Sequence, residues 1–165
     1  MIEYVSIPQE RIRSLRKDDR WKQQLSKLVD AKITFDEDVC IECGDPLLMI
    51  RLIEVVKAFG RGFDFNDSLS LLDESYRLEI IDIKEFAGKS KNRQSILRSR
   101  VIGREGTIKK TIEKRFGVKV AVYGKTVAVI CKDVDSEKTM DSIVMILSGS
   151  KFGTVTRFLR EHQTL

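Results

Sequence analysis

The sequence predicts an α+β protein made of two tandem copies of one arrangement. The order strand, helix, turn, helix, hairpin, helix is read twice along 165 residues. The two readings are offset by roughly 87 residues and agree throughout, the mark of an internal duplication. With 42% apolar residues and only 10 glycines and 2 prolines, the chain has the composition of a folded protein rather than a disordered one. The two copies occupy residues 1–74 and 75–165, with the boundary near Leu72 to Ser75.

In the first copy, Ile2 to Ile7 is a strand and Pro8 to about Leu15 a helix with Pro in its first turn. Arg20 to Asp30 is a second helix, with Trp21, Leu25 and Leu28 directed inward at helical spacing. Lys32 to Asp36 and Val39 to Cys43 form a hairpin through Asp36-Glu37-Asp38. A helix from Pro46 to about Phe59 follows, then another from Phe65 to Leu72.

In the second copy, Tyr76 to Ile83 alternates apolar and polar residues for most of its length, as a half-buried strand does. A polar, basic loop covers Ala87 to Arg93. The next helix has Ile96, Leu97, Val101 and Ile102 as its apolar positions. A glycine turn interrupts it, and a second helix begins near Thr107 with Ile108, Ile112 and Phe116 on one face. Gly117 is placed to end that helix in a left-handed conformation. Lys119 to Tyr123 and Thr126 to Cys131 are β-rich runs joined by Gly124-Lys125, a hairpin signal. A helix from about Asp135 to Leu147 carries Met140, Ile143, Val144 and Leu147, and a last helix covers Phe152 to His162.

Charge singles out one segment. The formal net charge is +5, from 30 basic and 25 acidic residues. Lys89 to Arg115 holds ten basic residues against Glu105 and Glu113, leaving 20 basic and 23 acidic elsewhere. All net positive charge therefore belongs to this segment, the electrostatic footprint of a polyanion partner. At its centre is Gly103-Arg104-Glu105-Gly106, between two helical patterns. Without a Cβ, a glycine lets backbone approach a phosphodiester chain closely. The amides opening the following helix face the phosphates with the positive end of the helix dipole behind them. This Gly-x-x-Gly turn is the signature of the KH module, which binds single-stranded nucleic acid. The order of elements is also that of a type I KH module, a three-stranded antiparallel sheet with helices on one face. The expected fold is thus two tandem type I KH modules. In the first, the turn position reads Arg16-Lys17-Asp18-Asp19. It lacks glycine and carries two carboxylates, so that module is expected to be degenerate, with an architectural or protein-contact role.

In the intact module, Gly103, Arg104, Glu105 and Gly106 are expected to clamp the backbone of about four nucleotides. Arg104 contacts phosphate through its forked guanidinium, while Glu105 points to solvent. Lys109 and Lys110 add charge along the strand. The floor of the base-binding groove is aliphatic, from Ile102, Ile108, Val120 and Val122, flanked by Arg100 and Lys119. Val120 and Val122 share a face and serve either as groove or as core. Tyr123 is placed in sheet packing rather than base stacking. Such a site binds weakly, with a strong salt dependence.

The run from Val101 to Glu113, followed by Val122-Tyr123-Gly124-Lys125-Thr126-Val127-Ala128, resembles the archaeal relatives of the partner-of-Nob family. Ile146 to Ser150 and Thr154 to Leu159 resemble the closing helices of those proteins. The resemblance implies a non-enzymatic RNA-binding factor of small ribosomal subunit assembly. It would recognise the 3′ end region of small-subunit ribosomal RNA and assist maturation of that end by a Nob-type endonuclease. Association with the α subunit of translation initiation factor two is also implied. The chain starts almost directly at its first strand, without the long N-terminal extension of eukaryotic members, which fits an archaeal, cytoplasmic setting. Two other readings stay open: a protein-interaction scaffold on a KH fold, and a general RNA chaperone or decay cofactor.

The remaining residues point to no other chemistry. No apolar run approaches the roughly 20 residues of a membrane span. Cys40 and Cys43 have zinc-like spacing, yet in a strand they face opposite ways. No second Cys-x-x-Cys exists and the sole histidine is His162, so no metal or other cofactor is expected. The glycine turn lacks the third glycine of a dinucleotide site and the Gly-Lys-Ser/Thr ending of a P-loop.

Overall fold

Val39, Ile41 and Cys43 alternate along one strand, so all three side chains project to the same face, and all three are buried. That strand is the centre of the first sheet. Strands β1 (Ile2–Val5), β2 (Ala31–Phe35) and β3 (Val39–Cys43) associate in the order β1-β3-β2, all antiparallel, with Ile33 opposite Ile41 and Val5 opposite Val39. Strands β4 (Tyr76–Asp82), β5 (Lys119–Tyr123) and β6 (Thr126–Lys132) repeat the pattern as β4-β6-β5, with Val120 opposite Val129 and Ile81 opposite Val127. The computed structural model describes residues 1–162; residues 163–165, expected at the end of the second copy, lie outside the described residues. The chain divides into two compact units, Met1–Glu74 and the part from Ser75 onward.

The first unit has helices α1 (Gln9–Lys17), α2 (Arg20–Leu28), α3 (Pro46–Gly60) and α4 (Phe65–Leu69), the last running into a 3₁₀ turn at Ser70–Leu72. Asp45 caps α3 by accepting from the Leu47 amide at 2.8 Å, and Pro46 opens the helix where no amide donor is needed. One core joins Ile12 and Leu15 of α1, Trp21 and Leu25 of α2 and Leu52 of α3 to the buried face of the sheet. The Trp21 indole donates to the Leu15 carbonyl at 3.0 Å, and its ring meets Phe35 edge-on at 4.6 Å between centroids. Such an aromatic pair contributes about 1 kcal/mol beyond its buried area.

The second unit has helices α5 (Lys84–Ala87), α6 (Lys91–Ile102), α7 (Thr107–Phe116), α8 (Asp133–Leu147) and α9 (Phe152–Glu161). Its core brings Leu97 and Val101, Ile112 and Phe116, Ile143 and Ile146, and Val155 and Leu159 from successive helices onto Val127, Val129 and Cys131 of β6.

Several sequence expectations are corrected here. β1 ends at Val5 rather than Ile7, because Pro8 turns the chain into α1 and Ile7 drops into the core. Leu28 is 60% exposed. The chain leaves α2 in an extended conformation at Val29, and Val29 rather than Leu28 packs on the core. The basic loop is shorter than expected, since Ser90 caps α6 by accepting from the Arg93 amide at 3.3 Å. Gln94, Leu97 and Val101 form the buried stripe of α6, which leaves Ile96 exposed. Gln94 tolerates burial because its amide donates to the Gly88 carbonyl at 2.7 Å. On α8 the inward stripe includes Ser136, Thr139 and Ser142, so Val144 lies outside it. The Thr139 and Ser142 hydroxyls are satisfied within their own helix, donating to Asp135 and Thr139 carbonyls at 2.7 Å each.

Candidate nucleic-acid interface

Helix α6 ends because Gly103 takes φ 75° and ψ 173°, a conformation that side-chain-bearing residues rarely enter. A single 3₁₀ turn, Arg104–Gly106, then leads into α7. Glu105 at φ 55° is the one non-glycine residue with positive φ among the described residues, and Gly106 follows at φ 73°. Three positive-φ residues within four positions thus produce a tight reversal between two helices. Hydrogen bonds fix it: the Gly103 amide donates to Ser99 at 2.8 Å, the Gly106 amide to Gly103 at 3.2 Å, and the Thr107 hydroxyl to the Arg104 carbonyl at 2.8 Å.

The two glycines differ. A Cβ on Gly103 would stand 2.6 Å from Ile108 Cγ1 and 2.8 Å from the Ile108 amide nitrogen. On Gly106 it would meet only the Lys110 chain, at 3.7 Å. Gly103 therefore seats the turn on Ile108, which itself packs on the core, whereas Gly106 supplies conformation and an open surface. No side chain caps the start of α7.

Arg104 and Glu105 are exposed, and Lys110 is exposed with its ammonium 3.4 Å from the Glu105 carbonyl oxygen. Lys109 is half-buried and faces Glu113 at 3.8 Å. Ile102 and Ile108 are half-buried beside the turn. Lys119 is exposed at the start of β5, which pairs only with β6. Gly103 to Gly106, Ile102, Ile108, Lys109 and Lys110 thus gather at the α6–α7 junction.

Three expected site residues are engaged elsewhere than in an open groove. Val120 is 3% exposed, and it lies on the sheet face covered by the helices and joins the core. Val122, on the same face, also packs against that core while keeping partial exposure. Arg100 points away from the turn: its guanidinium donates to the Ile146 carbonyl at 2.7 Å and the Ser150 carbonyl at 2.5 Å, closing the end of α8. Two supporting residues were missed from sequence. Glu113 accepts from the Val120 amide at 3.0 Å, joining α7 to β5, and Arg98 donates to the Gly124 carbonyl at 2.9 Å, joining α6 to the hairpin turn. Both depend on partners across the fold, and no local pattern announces them.

The equivalent corner of the first unit is built differently. Asp18 takes both Arg20 nitrogens, at 3.0 and 2.7 Å, and Asp19 pairs with Lys22 at 2.7 Å. The hydrogen bonds from Arg20 hold the Asp18 carboxyl down at about 2. Arg16 donates to the Phe35 and Asp36 carbonyls at 3.2 and 2.6 Å. Arg20 and Lys22 are thus matched by carboxylates, and Arg16 is bound to backbone carbonyls. Cys40 and Cys43 lie on opposite faces of β3, and no group of three or more potential metal ligands exists among the described residues. No helix among them is long and apolar enough to cross a membrane.

A β-α-α-β-β-α unit with its third strand central and a Gly-x-x-Gly turn between its first two long helices defines a type I KH domain. Residues 77–164 match the second KH domain of Pno1, described as a eukaryotic-type KH domain (KH-domain type I). The chain is 33% identical to a KH domain-containing protein of Methanocaldococcus jannaschii, over 99% of this chain and 75% of that one. Dim2p from Pyrococcus horikoshii superposes with a TM-score of 0.86 at 35% identity, covering 98% of this chain and 99% of that one. The same protein crystallised in an a/eIF2alpha–aDim2p–rRNA complex gives 0.87 at 35% identity, covering 98% and 93%. The pre-rRNA-processing protein Pno1 of Saccharomyces cerevisiae is 28% identical over 70% of this chain and 43% of its own length. The chain belongs to the Pno1/Dim2 family of KH-domain proteins, in its archaeal form. It spans less than half the length of the fungal Pno1 proteins it matches.

Proposed function

We propose that this chain is a non-enzymatic RNA-binding factor of small ribosomal subunit assembly, acting in the cytoplasm. Its glycine turn clamps single-stranded ribosomal RNA near the 3′ end, and it assists maturation of that end by a Nob-type endonuclease. The first unit is a degenerate type I KH module without a clamp, and the α subunit of initiation factor two is a second partner. The observation that carries this reading is the preformed turn at Gly103 to Gly106, with an uncapped helix start and Arg104 and Lys110 beside it. Backbone amides, the helix dipole and two cations converge on one exposed spot, the chemistry a phosphate backbone requires. Support for ribosomal RNA comes from the relatives: pre-rRNA processing for fungal Pno1, and an rRNA complex with a/eIF2alpha for the Pyrococcus protein.

The test is the double change Arg104→Asp, Glu105→Asp, which keeps two exposed polar residues and adds negative charge at the clamp by reversing the sign at position 104. Fluorescence anisotropy at fixed salt compares wild type and variant on a small-subunit 3′-end RNA and on a shuffled sequence. A large loss on the 3′-end RNA, and a wild-type preference for it, are expected. Unchanged affinity in the variant would leave a protein-interaction scaffold as the reading. Equal affinity for both sequences would leave a general RNA chaperone.

A further inference from the structure

At the end of α6 remote from the glycine turn, three lysines from three separate elements converge. Lys84 opens α5, Lys91 opens α6, and Lys125 sits in the β5–β6 turn; all three are exposed. Backbone hydrogen bonds hold them together. The Ile83 amide donates to the Lys125 carbonyl at 2.8 Å, which fixes the hairpin turn against the residue preceding Lys84. The Gly88 amide donates to the Lys84 carbonyl at 2.8 Å, and Gln94 ties Gly88 to α6. Arg98 holds the same hairpin turn through the Gly124 carbonyl at 2.9 Å. Asp82 is the acidic group facing the cluster, and it also accepts from the Lys84 amide at 2.9 Å. Lysine side chains are long and flexible, so like charges usually separate. Here the backbone bonds keep them near, and Lys84 first, then desolvation, then Lys91 pull the Lys125 ammonium below its ordinary value, with Asp82 opposing. Such a cluster is relieved by a polyanion.

We propose that Lys84, Lys91 and Lys125 form a second phosphate-contact site, holding the RNA strand where it continues past the glycine turn. The proposal rests on the RNA reading given above. Helix α6, with 12 residues, spans about 18 Å from Lys91 to the glycine turn. The clamp at the turn takes about four nucleotides, so a strand long enough to fill it and continue to the lysines gains contacts that a short one lacks.

The experiment compares single-stranded RNA probes of about four and about twelve nucleotides over a salt series, with wild type, the double variant Lys84→Gln, Lys125→Gln, and Lys91→Gln. Wild type is expected to bind the longer probe more tightly and with a steeper dependence of log K on log salt. The double variant loses that gain, and its slope on the longer probe falls by about 1.4. Removing repulsion leaves the melting temperature equal or higher, and Lys91→Gln repeats the test with one exposed change. An unaltered slope and length gain in both variants would overturn the second site. A wild type that binds both probes equally would overturn it too, while leaving the clamp in place. Failure of the wild type to bind either probe would overturn the clamp and the second site together.

Discussion

Arg11 and Arg100 do the same work in the two units. Arg11 on α1 donates to the Phe59 carbonyl at 2.9 Å and the Phe63 carbonyl at 2.6 Å, with its guanidinium 4.0 Å over the Phe59 ring. Arg100 on α6 donates to Ile146 and Ser150. Each arginine therefore joins the first long helix of its unit to carbonyls at and just beyond the end of the third, where Phe59 and Ile146 also accept the Gly62 and Gly149 amides. Burial pulls the Arg11 guanidinium below its ordinary value, opposed by Glu10 and Asp64. The two units therefore share a tertiary contact as well as an order of elements.

Replacing Arg100 by Met should destabilise the second unit by about 2 kcal/mol, the value of hydrogen bonds made by a charged donor. Urea titration checks this: the midpoint falls with little change in slope. Arg11→Met should act in the same direction, with the lost stacking on Phe59 added.

Gly103→Ala and Gly106→Ala should separate the two glycines. At Gly106 the left-handed backbone costs about 1 kcal/mol and nothing is struck. At Gly103 the added methyl also collides with Ile108, whose amide cannot withdraw, for a total of about 3 kcal/mol. Equal losses by chemical denaturation would refute the different roles assigned to them.

The Glu105 carboxylate is exposed in the middle of the turn, where it repels any approaching phosphate. Glu105→Gln should raise affinity for single-stranded RNA by a factor of about two to five, through removal of a weakly screened charge. The increase should fade as salt rises, as equilibrium titration at two ionic strengths will show.

Cys131 lies in the core, and burial pushes its thiol up to about 11 from 9.0. The folded state keeps this proton where the unfolded state loses it. The contribution is therefore intact below pH 9.0 and declines as pH rises toward about 11. Wild type should lose about 1 kcal/mol more than Cys131→Ala across that window, once solvent screening is allowed for. Denaturation midpoints at pH 8 and pH 10.5 provide the measurement, together with slow reaction of the native thiol with alkylating reagents.

The glycine turn and the missing glycines of Arg16 to Asp19 were legible in the sequence because they are local: a positive φ announces itself by residue type. The order of elements was legible for the same reason, through periodicity. Arg100 was misread because its partner, Ile146, lies 46 residues away, and a basic residue near a basic turn looks like part of it. Val120 shows a different limit. Alternation puts Val120 and Val122 on one face but does not say whether helices or ligand cover that face. Ser136, Thr139 and Ser142 obscured the inward stripe of α8, since their hydroxyls are satisfied without leaving the core.

Gly103 seated on Ile108 has a kinetic meaning. The turn is anchored to the core before any ligand arrives, so a strand meeting it encounters a rigid docking edge and not a loop that must order itself. Encounter rates should then follow long-range charge and respond strongly to ionic strength. The lifetime of the complex should follow the short-range fit of nucleotides beside Ile102 and Ile108.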